Sequence, residues 1–205
     1  MSINVCNNNS MSAITTLPSG VGGGSLNLIS TQTASSSSTI DFTSGIDSTY
    51  KEYIFKFIDI HPASNREYFV FQADTGTNTN YNIATTTSYF QAYETEDGGN
   101  GALGYNANHD DAQSTSFLRL SVVQSADNDA TTSGILHIFE PSSTTFAKQF
   151  FATTHNMAED GSGTKYAMYN AKAGYFNTTT ALTRFRFKMS SGNIDSGTIK
   201  LYGVS

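Results

Sequence analysis

Alternation of apolar and polar residues with a period of two is the feature that most constrains the fold of this chain. In "RFRFKM" (184–189) both phenylalanines and the methionine fall on one side, and the three cationic residues fall on the other. The next run places Ile199 and Leu201 together on one side. Such alternation is typical of strands with one buried face. Because Ser-Gly-Asn separates the two runs, we predict that the chain ends in a hairpin that completes a sheet.

The same period recurs along most of the chain between turn-rich segments. The segment 144–155 has spacing that a helix would also fit, but its β-branched threonines favour a strand. The segment 164–178 is expected to break at Gly174. Short strands separated by polar turns predict an all-β domain, and we expect a jelly-roll-like antiparallel β-sandwich of roughly ten strands. Besides the two closing runs, the strand-like segments are 26–34, 50–62, 67–74, 85–96, 115–124, 133–141, 144–155 and 164–178, together with 40–47, which reads as a short strand and a turn.

The run "YKEYIFKFIDIHP" (50–62) is apolar on both sides, unlike the other strand-like runs. One side carries Tyr53, Phe55 and Phe57, and the other carries the isoleucines at 54, 58 and 60. A strand with two apolar faces is expected in the middle of a domain or at a contact between subunits, and Pro62 is expected to end it.

Composition divides the chain of 205 residues into two parts. Residues 1–25 are rich in Asn, Ser, Thr and Gly, which indicates an extended N-terminal arm that is flexible unless a partner orders it. Residues 26–205 form the predicted β-sandwich domain. The arm carries Cys6, the one cysteine, which cannot form an internal disulfide and is expected to be a free thiol.

Charge and hydropathy exclude several classes of partner. The formal net charge is −6 and the basic residues are dispersed, which argues against a nucleic-acid partner. We expect no membrane partner, because the sequence has no apolar run of the length that a membrane helix needs. The N-terminus lacks a basic segment followed by an apolar core, so we expect the protein to be made and used without secretion.

The sequence shows no pattern of catalytic or metal-binding residues. The four histidines, at 61, 109, 137 and 155, have no metal-binding spacing, and no phosphate loop or nucleophile elbow is present. Acidic, glycine-rich stretches at 94–101, 109–112 and 155–165 contain oxygen ligands that suit calcium, but they lack the EF-hand spacing and are more typical of solvated turns. We therefore assign no catalytic, cofactor-binding or metal-binding residue, and we expect no cofactor.

Tyrosines near polar loops suggest one alternative to a purely structural role. Tyr81, Tyr89, Tyr93 and Tyr105 have the apolar ring and the hydroxyl with which proteins stack on and hydrogen-bond sugars. Packing within a sheet explains these positions equally well.

Several motifs together resemble those of virion structural proteins from marine tailed phages, especially phages of cyanobacteria. The motifs are the Ser/Thr-rich opening of the domain, "SGIDSTYKEY" (44–53), "PSSTT" (141–145) and "KMSSGNIDSGTIKLYG" (188–203). The resemblance extends over residues 26–205. It implies a component of the virion that is assembled in the host cytoplasm. It does not distinguish head from neck or tail, and it transfers no functional residue.

The resemblance and the sequence pattern together lead to one expectation and two alternatives. We expect a non-enzymatic structural protein, either a capsid decoration or cement protein or a tail-fibre subunit. It would form a homotrimer, contact other virion proteins of the capsid or tail, and attach through the arm at 1–25. The first alternative is an adhesin of the tail or particle surface that binds host glycans through the loop at 97–114. The second is a hydrolase such as a depolymerase.

Overall fold

A computed structural model describes residues 26–205, and the predicted arm at 1–25 lies outside the described residues. The described chain has no helix, and therefore none that could cross a membrane. It folds into strands β1 (Leu26–Ser37), β2 (Ile40–Phe42), β3 (Glu52–Pro62), β4 (Phe69–Asp74), β5 (Thr85–Thr95), β6 (Gly101–Tyr105), β7 (Asp111–Ser114), β8 (Leu118–Arg119), β9 (Thr132–Phe139), β10 (Lys148–Glu159), β11 (Lys165–Phe176), β12 (Arg184–Met189) and β13 (Ile194–Val204).

The strands form two antiparallel sheets of unequal size. The large sheet has the order β1-β13-β3-β9-β10-β11-β5-β6, with β7 also paired to β5. The small sheet has the order β2-β12-β4-β8. The two sheets pack face to face, so the predicted all-β sandwich is confirmed. The jelly-roll-like connectivity stays a prediction.

Phenylalanine rings from both sheets fill the core between them. Phe187 of β12 lies at the centre, with its ring centroid 5.0 Å from that of Phe55 and 5.3 Å from that of Phe57, both on β3. Within the small sheet it stacks on Phe71 at 6.1 Å. Aromatic pairs at such distances contribute about 0.5–1.5 kcal/mol each beyond the burial of their area. The alternation seen in 184–189 therefore fixes which side of β12 faces the large sheet.

The predicted C-terminal hairpin is wrong, because the last two strands belong to different sheets. β12 pairs with β2 and β4 in the small sheet, whereas β13 pairs with β1 and β3 in the large sheet. The Ser-Gly-Asn segment crosses between the sheets, and Gly192 adopts a φ of +68° there. The buried sides of the two strands consequently face each other across the core. A period of two reports a buried face, but it does not report whether the next strand lies beside it or opposite.

β3 lies inside the large sheet between β13 and β9, as its two apolar sides predicted. A bulge at Ile58 and Asp59, where Asp59 has a φ of +52°, interrupts the alternation. Ile60 therefore returns to the core side with Phe57 and is fully buried. The assignment of Ile60 to the same side as Ile54 and Ile58 is wrong for this reason.

Three further predictions of strand extent need correction. The loop predicted at 97–114 contains β6 and β7, and the strand predicted at 115–124 is reduced to β8. Gly174 does not break β11, since it pairs with Thr87 inside a continuous ladder. A Cβ at this position would lie 2.3 Å from the Thr86 carbonyl oxygen. Glycine thus permits β5 and β11 to approach closely. Segment 144–155 forms a strand as predicted, with β10 beginning at Lys148.

Candidate functional site

The inner face of the large sheet changes from apolar to polar along β10 and β11. On β10, Phe150 and Ala152 give way to Thr154 and Asn156, and all four are buried. On β11, Phe176 gives way to Lys172 and Asn170 in the same direction. Buried polar groups are costly unless they are hydrogen-bonded. This end of the sandwich is therefore a second, polar layer beside the phenylalanine core.

A chain of hydrogen bonds connects the buried polar side chains. The Tyr89 hydroxyl donates to Asn170 Oδ1 at 2.7 Å, and Asn170 Nδ2 donates to Asn156 Oδ1 at 2.9 Å and to Thr154 Oγ1 at 3.2 Å. The Thr154 hydroxyl in turn donates to the Leu120 carbonyl oxygen. Burial raises the pKa of Tyr89, so its hydroxyl stays protonated and acts as a donor. The network fixes β5, β10 and β11 relative to the segment after β8.

Lys172 fastens the segment between β6 and β7 to the sheet. Its side chain is 1% exposed, and Nζ donates to the His109 carbonyl oxygen at 2.8 Å, to Asp111 Oδ2 at 2.8 Å and to Thr87 Oγ1 at 3.2 Å. Burial lowers the pKa of this ammonium, and the carboxylate of Asp111 opposes that change. A buried ion pair with three satisfied bonds positions His109 over the polar layer.

His109 is a neutral imidazole in this setting. Its ring meets the rings of Tyr89 and Tyr68 edge-on, at centroid distances of 5.1 and 5.8 Å. Burial, followed by the nearby charges of Arg119 and Lys172, lowers the pKa of His109 to about 4. The Arg119 guanidinium lies 4.2 Å from the centroid of the Tyr68 ring and covers it. A neutral His109 can donate from one ring nitrogen and accept at the other.

An open cavity of about 320 Å³ lies beside this polar layer. Three tyrosines and three carboxamide side chains supply rings, donors and acceptors, while an alanine, a methionine and two valines supply apolar surface. No lysine or arginine lines the cavity among the residues that the structure describes. The lining residues are Tyr68, Gln91, Tyr93, Asn100, Asn106, His109, Val122, Val123, Ala158, Asp160, Tyr166 and Met168.

Asp160 is the one carboxylate of the cavity lining, and its oxygens are occupied by bonds within its own hairpin. Oδ1 accepts from the backbone N–H of Ser162 at 2.8 Å and from that of Thr164 at 3.0 Å, and Oδ2 accepts from the Tyr166 hydroxyl at 2.5 Å. The Tyr166 bond, followed by those of the turn, holds the pKa of Asp160 well below its usual range. Asp160 is thus a charged anchor that shapes the turn and orients Tyr166.

The structure separates the four tyrosines that the sequence suggested. Tyr93 lines the cavity and Tyr89 lies in the polar layer beneath it. Tyr81 lies elsewhere, under the Arg186 guanidinium at 4.2 Å, and Tyr105 packs against Phe90 on the outside of the sheet. Sequence reasoning missed Tyr68, which directly precedes β4, and Tyr166, which the pairing of β11 with β5 brings beside Tyr93.

The acidic residues and histidines that the sequence offered as ligands lie apart from one another, and each makes its own local hydrogen bonds. Among residues 26–205, no group of three or more His, Cys, Asp or Glu is placed to hold a metal ion. Asp97 accepts from the Thr95 hydroxyl at 2.6 Å and from the Gly99 N–H at 2.9 Å, so the 94–101 stretch forms a turn. The Nδ1 of His61 lies 2.7 Å from the Ala130 carbonyl oxygen. His137 Nδ1 lies 2.5 Å from Glu52 Oε1.

The opposite side of the large sheet is exposed, and its outward positions on five strands carry no Asp, Glu, Lys or Arg apart from Glu94, Glu159 and Lys165 at one end of β5, β10 and β11. We call the remaining outward positions, on β9 to β11 and β5 to β6, the outer face. Leu103 is 79% exposed, and Phe90, Phe151 and Tyr169 are also exposed. His137 stacks on Phe151 with ring centroids 4.4 Å apart. The positions are 133, 135, 137, 139, 149, 151, 153, 155, 157, 167, 169, 171, 173, 175, 86, 88, 90, 92, 103 and 105.

No protein family, curated protein or solved structure matches this chain.

Proposed function

We propose that this chain is a non-enzymatic structural subunit of a phage virion, either a capsid decoration or cement protein or a tail-fibre subunit. It would act by packing against copies of itself and against other virion proteins. The resemblance of residues 26–205 to virion proteins of marine phages supports the location in the particle. The observation that carries the packing role is the outer face.

The outer face has the composition and size of an interface between proteins. Exposed apolar side chains gathered in one patch mark a contact surface, and the core of an interface is enriched in aromatic residues and depleted in charge. From β9 to β6 the face spans four strand spacings, about 19 Å, and eight residues along a strand cover about 27 Å. The resulting footprint of roughly 500 Å² is of the same order as the about 800 Å² that each partner buries in a standard interface.

Charges at the borders of the outer face favour a second copy of this chain as the partner. Lys56 and Lys200 are direct cross-strand partners on β3 and β13, an arrangement of like charges that is unfavourable unless an anion lies nearby. Glu94 lies at the opposite border on β5 and is exposed. A head-to-tail contact would bring Glu94 of one copy towards the two lysines of the next. Contacts of this kind close into a ring when the rotation between copies closes, and we propose a ring of three copies.

The acidic loops support a structural role for a different reason. The carboxylate oxygens of Asp97 and Asp160 accept hydrogen bonds from backbone N–H groups and hydroxyls of their own turns. Both pKa values are lowered by these bonds, so neither group is poised as a general acid. Attachment through the arm at 1–25 and assembly in the host cytoplasm remain proposals from sequence alone.

The test is the oligomeric state in solution, measured by size-exclusion chromatography with light scattering. We expect the mass of three chains for the wild type and of one chain for Phe151→Glu, which buries a charge in the proposed contact. Phe146→Glu is the matched control, because Phe146 is 65% exposed in the connection between β9 and β10 and is not one of the outer-face positions. A wild type that stays monomeric at high concentration, or a Phe151→Glu trimer, would contradict the proposal. Localising the chain in an intact particle by electron cryo-microscopy tests the virion assignment separately.

A further inference from the structure

We infer that the cavity beside β5 and β11 is a binding site for a neutral saccharide of one or two rings. This inference concerns the inner, polar end of the sandwich and goes beyond the structural role of the outer face. Tyr93, Tyr166, Gln91 and Asn100 are the residues that carry it.

The cavity combines aromatic surface with planar polar groups, which is the combination that sugars require. A pyranose ring has apolar C–H surface on its faces and hydroxyls at its rim. Tyr93 and Tyr166 line the cavity with ring centroids 5.7 Å apart and planes at 87°. Val122 and Met168 add apolar surface beside them. Pockets of about 300 Å³ lie at the small end of the range for ligand sites, which fits a mono- or disaccharide.

Several polar groups of the lining keep hydrogen-bonding capacity for a ligand. Gln91 uses Oε1 to accept from Asn106 Nδ2 at 2.9 Å, and its Nε2 has no bond to another described residue. The Asn100 carboxamide and the Tyr93 hydroxyl likewise make no hydrogen bond within residues 26–205. Carboxamides offer a donor and an acceptor side by side, and such a pair matches vicinal hydroxyls.

The side chains are held in place before any ligand arrives. Asp160 orients Tyr166 through its hydroxyl, and Gln91 orients Asn106. The backbone of Asn106 is fixed by N–H donation to the Tyr89 carbonyl oxygen at 3.0 Å. Preorganisation of this kind lowers the entropic cost of binding.

Charge selects a neutral ligand. The lining has no cation among the described residues, and its one carboxylate already accepts four hydrogen bonds. A phosphate, sulfate or sialic acid would meet the carboxylate of Asp160. The cations near His109, Arg119 and Lys172, do not line the cavity and are bonded to the Asn108 carbonyl oxygen and to Asp111. Neutral hexosides are therefore expected to bind better than acidic sugars.

Saturation-transfer difference NMR on the full chain tests the inference, because it detects weak binding. The probes are the methyl glycosides of glucose, galactose, mannose and N-acetylglucosamine, with sialyllactose as the acidic comparison. We expect saturation transfer to at least one neutral glycoside, and we expect Tyr93→Ala to weaken its binding about tenfold through loss of the ring. Asn100→Ala should weaken it several-fold, because its side chain is free of internal bonds.

Phe146→Ala is the matched control, since it removes an exposed aromatic ring that belongs neither to the cavity lining nor to the outer face. Its affinity for the glycoside should equal that of the wild type, and circular dichroism should show the same sheet content for all variants. Absence of transfer to every neutral glycoside at millimolar concentration would overturn the inference. So would equal binding by Tyr93→Ala, or a preference for sialyllactose. Oligomeric mass is measured on the same samples, so failure of this site and failure of the proposed assembly are distinguished.

Discussion

Acidification between pH 6.5 and pH 4 is expected to destabilise this fold through His109. The folded protein holds the pKa of this imidazole at about 4, below its ordinary value of 6.5. The unfolded chain therefore binds the proton first as pH falls. Stability contributed by the neutral ring is complete above pH 6.5, decreases as pH drops towards 4, and changes no further below that. The groups that face the ring and oppose its charging are Arg119 and Lys172, while Asp111 favours it.

The size of the effect follows from the two pKa values. Their difference, at about 1.36 kcal/mol per pKa unit, gives a ceiling of about 3 kcal/mol. Because the ring is only half-buried, solvent screening reduces this figure, and we expect a loss on the order of 2 kcal/mol. Carboxylates with lowered pKa values, such as Asp160, lose their contribution only at lower pH. Glu159, whose ordinary pKa of 4.5 is lowered by its bond to Lys165, begins to lose its contribution at the lower end of the interval from pH 6.5 to 4.5. The difference between the wild type and a variant without His109 therefore isolates the histidine.

Urea denaturation at pH 6.5, 5.5 and 4.5, at one fixed protein concentration, measures this loss. We expect His109→Gln to show a free energy of unfolding that changes little across the interval, since glutamine has no proton to gain. His155→Gln removes an exposed imidazole and should follow the wild type. A wild type as stable at pH 4.5 as at pH 6.5, or a His109→Gln variant with the full pH dependence, would refute the reasoning.

Three further predictions concern buried groups, each measured by chemical or thermal denaturation. Thr132 has a buried hydroxyl without a partner in the described chain, so Thr132→Val should be neutral or stabilising, whereas Thr154→Val should cost about 1–3 kcal/mol because it breaks a bonded network. Equal effects of the two substitutions would contradict this. Asp111→Ala should cost about 3–5 kcal/mol by leaving Lys172 buried and unpaired, and the double variant with Lys172→Met should recover much of that loss. Gly174→Ala should destabilise by more than 1 kcal/mol, because its Cβ would overlap the backbone of β5, and an unchanged midpoint would show that β5 can move aside.

Alternation predicted which side of the long strands is buried, and along the phenylalanine core it failed only at Ile60, which follows the bulge in β3. Phe185 and Phe187, like Ile199 and Leu201, are buried as their spacing indicates. The same pattern carried no information about which sheet each strand joins. The C-terminal hairpin was wrong for that reason, since two strands that face each other look the same in sequence as two that lie side by side.

The candidate site was only partly predictable. Tyr93 was singled out from the sequence. Tyr166 joins it only through the pairing of β5 with β11, and Tyr68 only through the bridge between Glu67 and Gln124 in the segment after β8. The bulge at Asp59 returns Ile60 to the core, and no residue pattern in the sequence around Asp59 predicted it. Short strands such as β6, with every residue exposed, lack the buried face from which the period could be read.

Unequal sheet widths explain why one sandwich has both a dry core and a polar cavity. The eight strands in line in the large sheet span about 33 Å, whereas the four of the small sheet span about 14 Å. The small sheet therefore cannot cover the far strands β11 and β5 along their whole length, and loops after β6 and β8 cover the remainder. Loops bring backbone polar groups with them, and buried polar groups need partners. Thr87, Thr154, Asn156, Asn170 and Lys172 lie where those partners are needed, so the polar half of the sheet follows from the architecture.

The contrasting outer face of the same strands needs no such cover if it meets another copy. The Phe151→Glu and Tyr93→Ala variants thus perturb opposite sides of one sheet, and each should leave the property of the other side unchanged.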